Sequence, residues 1–251
     1  MGLLAAVGGG KAQGADEYAD LSDAVEVTAT RIPELIENIP ASITVVTGEQ
    51  LRARGANDLR SALALVAGVE ATAGGDAGPG GSVPALWGLR EADAFLLVVD
   101  NVPWGGAFNP ATPSIDLTGV ARIEVLRGAA PVMFGATSFV GVIHVIHDAA
   151  GESQSTLEVS GATYGSARAA LQANLPTVGG YRQSLTMNVE RRGQEEDRSS
   201  VTRYHALYRG AMVLADTRLH VDADVTVLPQ APPGNLLLRD GEVLHLSLIH
   251  I

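Results

Sequence analysis

Two histidines spaced H-x-x-H, His144 and His147, come nearest in this sequence to a set of metal ligands. They sit in GVIHVIH, a run with the β-branched alternation of a strand. Strand side chains three residues apart point to opposite faces, so the pair cannot close on one ion. The chain has no cysteine, which removes thiolate ligands, disulfides and cysteine nucleophiles. It also lacks a G-x-S-x-G elbow, a phosphate loop ending in Gly-Lys-Ser/Thr and an H-E-x-x-H helix. No catalytic constellation is visible, so neither an enzyme nor a bound cofactor is expected. The remaining distinctive side chains suit recognition. Trp87, Trp104 and Phe108 are scarce aromatics in a chain that is 4% aromatic, and they lie near glycine-rich loops. Trp87 fits core packing at least as well.

The 251 residues suffice for one large domain or two smaller ones, and 46% hydrophobic content is enough for a packed core. A formal charge of -11, with Lys11 the single lysine, excludes the basic face that nucleic acid requires. The apolar runs, such as FLLVV at 95–99, are far shorter than the roughly 18 residues of a spanning helix. Near the start, LLAAV followed by AQGA reads either as the end of a secretory signal or as a flexible tail.

The elements that would carry these residues change character along the chain. Residues 1–22 are rich in Gly, Ala and Asp and read as a flexible lead-in. ITVVT at 43–47 is a strand, and Thr47 with Gln50 has capping-box spacing for a short helix ending near Gly55. Asn57 can cap a second helix, with Leu59, Leu63 and Val66 on one face and Gly68 at its end. FLLVVD at 95–100 reads as a strand covered on both faces, followed by a turn at Asn101-Val102-Pro103. Strands at 123–126 and 142–146 complete a small mixed α/β unit. From Gly151 onward, apolar and polar residues alternate over 156–161, 168–174, 184–190 and 218–225, with a polar loop at 191–200. That is the grammar of tilted membrane strands, with a soluble sandwich as the other solution.

Four stretches then resemble a family: residues 23–29 (DAVEVTA), 39–68 (IPASITVVTGEQLRARGANDLRSALALVAG), 86–103 (LWGLREADAFLLVVDNVP) and 122–146 (RIEVLRGAAPVMFGATSFVGVIHVI). In order and spacing they are similar to the plug domain of a TonB-dependent outer-membrane receptor, a plug seated inside a large β-barrel. The resemblance implies an α+β plug domain, a small mixed sheet with short helices, followed by antiparallel β-strands of an incomplete transmembrane β-barrel. It divides the chain into a lead-in (1–22), TonB box and plug (23–150) and first barrel strands (151–251). Family barrels have about 22 strands, whereas about a hundred residues form only about five. The chain is therefore expected to be part of a longer receptor, and its last residues, LSLIHI, look like translated adapter sequence. The other reading of the whole is a soluble periplasmic module with an α/β half and a β-sandwich half.

The resemblance also implies roles. Asp23, Ala24, Val25, Glu26, Val27, Thr28 and Ala29 look like the TonB box, which would bind TonB of the inner-membrane energising complex by offering backbone groups to its sheet edge. A first plug strand is the plainer alternative. Arg90 and Arg127 stand at family arginine positions that pair with carboxylates of the barrel wall, although Glu91 and Ala129-Ala130 depart from the pattern around them. Trp104, Phe108 and Asn109 lie where plug loops face outward and touch the ligand. His144 and His147 stand where family plugs carry Asn and Thr-like residues. Expected partners are TonB, outer-membrane lipid and a small-molecule or metal-chelate ligand, a ferric siderophore first. Cobalamin, other chelates and saccharides compete for that place. The expected location is the outer membrane of a Gram-negative bacterium. The small residues of 128–141 would permit close backbone passage within a lumen.

Overall fold

The computed structural model describes residues 26–27, 34–35, 42–71, 83–90, 95–104, 112–128, 140–193, 200–214, 217–231, 235–239 and 242–246. Strands β1 (Glu26–Val27) and β2 (Glu34–Leu35) form a two-residue antiparallel pair. After β3 (Ser42–Thr47), Thr47 accepts from the Gln50 amide and Gln50 returns the contact, which starts α1 (Gly48–Ala53) as its spacing predicts. Helix α2 (Leu59–Leu63) is capped by Asp58 rather than Asn57, because Asp58 and Ser61 satisfy each other's backbone amides. It is also shorter than expected. Beyond Leu63 the chain tightens, with Leu65 and Val66 donating to the carbonyls of Ala62 and Leu63.

The strands β4 (Val69–Glu70), β5 (Ala85–Leu86), β6 (Phe95–Val99), β7 (Val102–Pro103), β8 (Val120–Arg127) and β9 (Gly141–His147) follow. One five-stranded sheet has the order β3-β8-β9-β6-β7, with β6 parallel to β9 and the other neighbours antiparallel. The turn expected at 101–103 lies one residue earlier. Asp100 and Asn101 both adopt left-handed φ, at 45° and 69°, so Val102 and Pro103 are already strand. One face of the sheet packs Val46, Leu97, Ile123 and Ile143 against Leu51, Leu59 and Leu63 of the helices. Each such large side chain stabilises by about 1.5–3 kcal/mol on burial. The other face carries the smaller apolar group Val98, Leu126 and Val142.

The second half is an antiparallel path, β10 (Thr156–Ala162), β11 (Ser166–Val178), β12 (Tyr181–Gly193), β13 (Ser200–Leu214) and β14 (Thr217–Val227). Short β15 (Gln230–Ala231) joins the start of β13, and β16 (Asn235–Arg239) pairs with β17 (Glu242–Leu246). Residues 191–193, expected in a loop, continue β12 instead, paired with 200–202 of β13. The path is open and does not close into a barrel.

The two faces of this wall are assigned opposite to those of a soluble sheet. On the side that covers the plug, Arg168, Gln172, Ser184, Thr186, Asn188, Glu190, Arg203 and His205 are all buried. On the far side Leu157, Val159, Met187, Val189, Leu214 and Val225 are exposed, Val159 by 75%. A sandwich would bury the aliphatic row and wet the polar one. The alternation is therefore that of a membrane barrel, with polar residues toward the lumen and apolar residues outward.

Candidate functional site

The seam between plug and wall is where the buried charges collect. An isolated bridge pairs Asp58 with Asp116, which sets two plug carboxylates side by side. Arg203 of β13 reaches between them and the wall. Its Nη2 donates to Asp116 Oδ2 at 2.8 Å, to Glu190 Oε2 at 2.6 Å and to the Asn57 carbonyl at 3.1 Å, and its Nη1 donates to the Ile115 carbonyl at 2.9 Å. Arg192 donates from Nε to Glu190 at 2.7 Å and from Nη1 to Asp58. Arg168 donates from Nη2 to Thr118 Oγ1 at 2.8 Å, and its Nη1 stands 2.7 Å from Glu158 Oε2 as an ion pair. Burial alone would raise the Asp58 carboxyl, but Arg192 beside it and hydrogen bonds from Ser61 and Arg192 hold it down to about 2.

Lower on the seam, Arg209 of β13 stands 3.5 Å from Asp100, donates to the Asp148 carbonyl at 2.9 Å and meets both oxygens of Asp222 at 3.2 Å. Gln172 donates to Asp148 Oδ2 at 3.0 Å. Gly119, with φ of 74°, lies so close to the wall that a Cβ there would sit 3.1 Å from Gln172 Nε2 and 3.2 Å from Thr186 Oγ1. The contact is thus largely polar, with Ala170, Leu207 and Ala211 the buried apolar side chains on the wall's inner face among the described residues. Such a surface can separate into water far more readily than a hydrocarbon core.

At the other end of the seam a cavity of about 110 Å³ opens between α2 and the strand ends. Leu59, Leu63 and Pro113 line one side, and Arg192, Val201 and Arg203 the other. Among the described residues no group of three or more His, Asp or Glu side chains could hold a metal ion. His144 and His147 are separated as the strand period requires. His144 faces Glu124 at 3.9 Å, whereas His147 Nδ1 meets Asp100 Oδ2 at 2.7 Å.

The residues expected from sequence to act fall in several places. Glu26 and Val27 lie in β1, paired with β2, while Asp23, Ala24, Val25, Thr28 and Ala29 lie outside the described residues. Arg90 bonds Glu70 at 2.8 Å, and Arg127 bonds the Ala67 carbonyl and, at 2.8 Å, Thr44 Oγ1. These described partners belong to the plug itself. Across the seam, the described ion pairs join wall arginines to plug carboxylates. Trp104 is half-buried against the plug core, and its indole N–H donates to Ser114 Oγ at 3.0 Å. Phe108 and Asn109 lie outside the described residues, as do 129–139 of the small-residue stretch. Trp87, a core candidate by sequence, is instead 63% exposed on a left-handed turn, with the Arg127 guanidinium 5.9 Å from its ring centre. Sequence reasoning passed over Arg168, Arg192, Arg203 and Arg209. Arg168 alone among them lay in a segment read as alternating; Arg192 fell in the expected polar loop, and the strand of Arg203 and Arg209 was not singled out.

Residues 36–142 match the family model for the TonB-dependent receptor plug domain. A vitamin B12 transporter of Photobacterium profundum is 32% identical over 138 residues, 53% of this chain and 21% of that protein. An iron-regulated outer membrane virulence protein of Vibrio cholerae is 30% identical over 140 residues, again 53% and 21%. The chain thus spans about a fifth of the length of these relatives. Among solved structures, the Pseudomonas aeruginosa pyoverdine receptor FpvA superposes with a TM-score of 0.72 at 22% identity, covering 88% of this chain and 30% of that one. The alcaligin receptor FauA of Bordetella pertussis superposes at 0.67 and 19% identity, covering 80% and 34%. These likenesses carry the fold. Residues 36–142 are thus a match to the TonB-dependent receptor plug domain, and the antiparallel strands that follow lie against it as they do in the receptors of similar fold.

Proposed function

We propose that this chain forms the plug and first wall strands of an outer-membrane receptor that takes up a scarce ligand, a ferric siderophore, using force delivered by TonB. The observation that carries the reading is the inverted wall. A buried row of arginines and amides faces plug carboxylates while an aliphatic row lies bare, an arrangement suited to a removable stopper in a lipid-embedded cylinder. The two-residue connections at 179–180 and 215–216 fit the periplasmic rim, and the longer one at 194–199 fits the outer rim. That orientation turns the cavity beside Arg192 and Arg203 outward. Ligand entering there and at the loops that carry Trp104, Phe108 and Asn109 would be passed inward when residues 23–29 are pulled. The siderophore assignment is supported by the iron-regulated relative and the siderophore receptors of similar fold, with the vitamin B12 transporter as the competing precedent.

The reading is tested by titrating a peptide of residues 20–32 against the TonB C-terminal domain. Binding that Val27→Pro abolishes is expected, because proline removes a ladder donor. Equal affinity of the two peptides would overturn the TonB assignment. Tryptophan quenching of the receptor by a ferric siderophore, with no response to cobalamin, is the expected ligand result. The reverse order would overturn that part alone.

A further inference from the structure

We propose that the Asp100–Asn101 turn is a latch between plug and wall that acid releases, with His144 as the residue that opens it. The turn joins β6 to β7, and both its residues are held in left-handed backbone conformation without being glycine. Five contacts fix it. The Asp100 amide donates to the Val145 carbonyl at 3.0 Å. The Asn101 amide donates to His144 Nε2 at 3.1 Å. The Asp100 carboxylate accepts from the His147 amide at 2.9 Å and meets His147 Nδ1 at 2.7 Å. From the wall, Arg209 approaches Asp100 to 3.5 Å while holding the Asp148 carbonyl. One turn therefore ties the two central plug strands to β13, and β7 leads directly to Trp104.

His144 is 1% exposed, and its role in this arrangement depends on its proton. Nε2 accepts the Asn101 amide only when it carries no hydrogen, which places the ring proton on Nδ1, toward Glu124 Oε2 at 3.9 Å. The charged groups around it are Glu124 and Arg122 from β8 and Asp100 from the turn, with Arg209 and Asp222 standing behind Asp100 on the wall and His147 on the opposite face of β9. Burial lowers the proton affinity of His144 below its ordinary value of 6.5. Glu124 and Asp100 pull the other way, and Arg122 adds to the lowering. A second proton on the ring would set an N–H against the Asn101 N–H, leaving a backbone amide unpaired and a strained turn with one support fewer.

The sign follows from linkage. The opened turn binds the proton more readily than the closed one, so the closed state is favoured above pH 6.5 and loses ground as pH falls from 6.5 toward the lowered value. In that window the opened fraction rises as pH falls, with tenfold per pH unit as the limit for one proton. Opening frees Asp100 from Arg209 and loosens the strand leading to the ligand loop.

Hydrogen–deuterium exchange of the receptor carrying this chain, followed by mass spectrometry from pH 8 to pH 5 and corrected for intrinsic rates, tests the latch. Wild type should lose protection in the peptide 95–104 below pH 6.5, by up to tenfold per unit. His144→Gln, which keeps an acceptor near Nε2 without titrating, should hold that peptide's protection constant. His147→Asn, which keeps a donor for Asp100, should respond like wild type. A flat wild-type profile, an equal loss in His144→Gln, or a loss spread evenly over α1, β8 and the rest of the plug would each overturn the proposal. If His144→Gln fails to fold, the wild-type and His147→Asn profiles still decide between a local and a global response.

Discussion

Arg203 is the residue on which the seam is most concentrated, because one guanidinium serves Asp116, Glu190 and two backbone carbonyls in a site where it is 4% exposed. Replacing it with methionine strands two buried carboxylates, and a loss of about 3–5 kcal/mol in denaturant stability is expected. Replacing Arg203 and Asp116 together should cost less than the two single losses added, since each single change leaves the other's charge unpaired. Strict additivity in that double-mutant cycle would show that the pair is not coupled. Asp58 gives a pH counterpart. Its carboxyl is ordinarily 3.8 and is held to about 2 in the folded chain. Its stabilisation, about 2 kcal/mol, is therefore complete above pH 3.8 and lost as pH falls through 2. Asp58→Asn should flatten that part of the acid limb in a stability profile. At this scale the sequence was least legible. Arg168 could be placed on an alternating strand, but the plug carboxylates that the wall arginines meet are 52 to 134 residues away in the chain, and no local spacing announces such a partner. The exposure of Trp87 and the half-burial of Trp104 were hidden for a similar reason. A left-handed turn carries Trp87 outward, and a serine ten residues on draws Trp104 inward.

Among the elements, β12 states the architecture most plainly. Ser184, Thr186, Asn188 and Glu190 are buried against the plug, while Met187 and Val189 between them lie bare. An arginine at Met187 should lower folding stability in lipid by about 2–4 kcal/mol, whereas a change at the same depth to a small polar residue should be mild. Equal tolerance of both, measured by heat-modifiable mobility of the assembled receptor, would place this face away from lipid. On the neighbouring strand, Gly210 lies beneath the Tyr181 ring, and a Cβ there would approach the Tyr181 hydroxyl to 1.8 Å. Gly210→Val should displace Tyr181 from its 3.1 Å contact with Tyr208, read as a change in tyrosine emission. The capping box at Thr47 and Gln50, the strand at 95–99 and the period-two segments were readable from sequence, because each depends on neighbours within a few residues. Strand β13 was not singled out. Its inward face mixes Arg203 and His205 with Leu207 and Ala211, and its outward face includes Tyr208 and Gly210, so neither face is uniform enough to reveal a period.

For the molecule as a whole, the decisive property is which side of the wall is dry. The plug has its own apolar core around Leu59, Leu97 and Ile143, and its contact with the wall is carried by ion pairs and amides. A stopper that must leave without unfolding requires that division. The bare aliphatic row then has to meet lipid, because an exposed surface of that extent is not stable in water. The absence of native cysteine makes the test direct. Single cysteines introduced from 184 to 190 on β12, spin-labelled in the receptor within outer membranes, should show a two-residue period in accessibility to lipid-dissolved oxygen. Positions 185, 187 and 189 are predicted to be accessible, and 184, 186, 188 and 190 shielded. The opposite phase, or oxygen exposure without a period, would contradict the account.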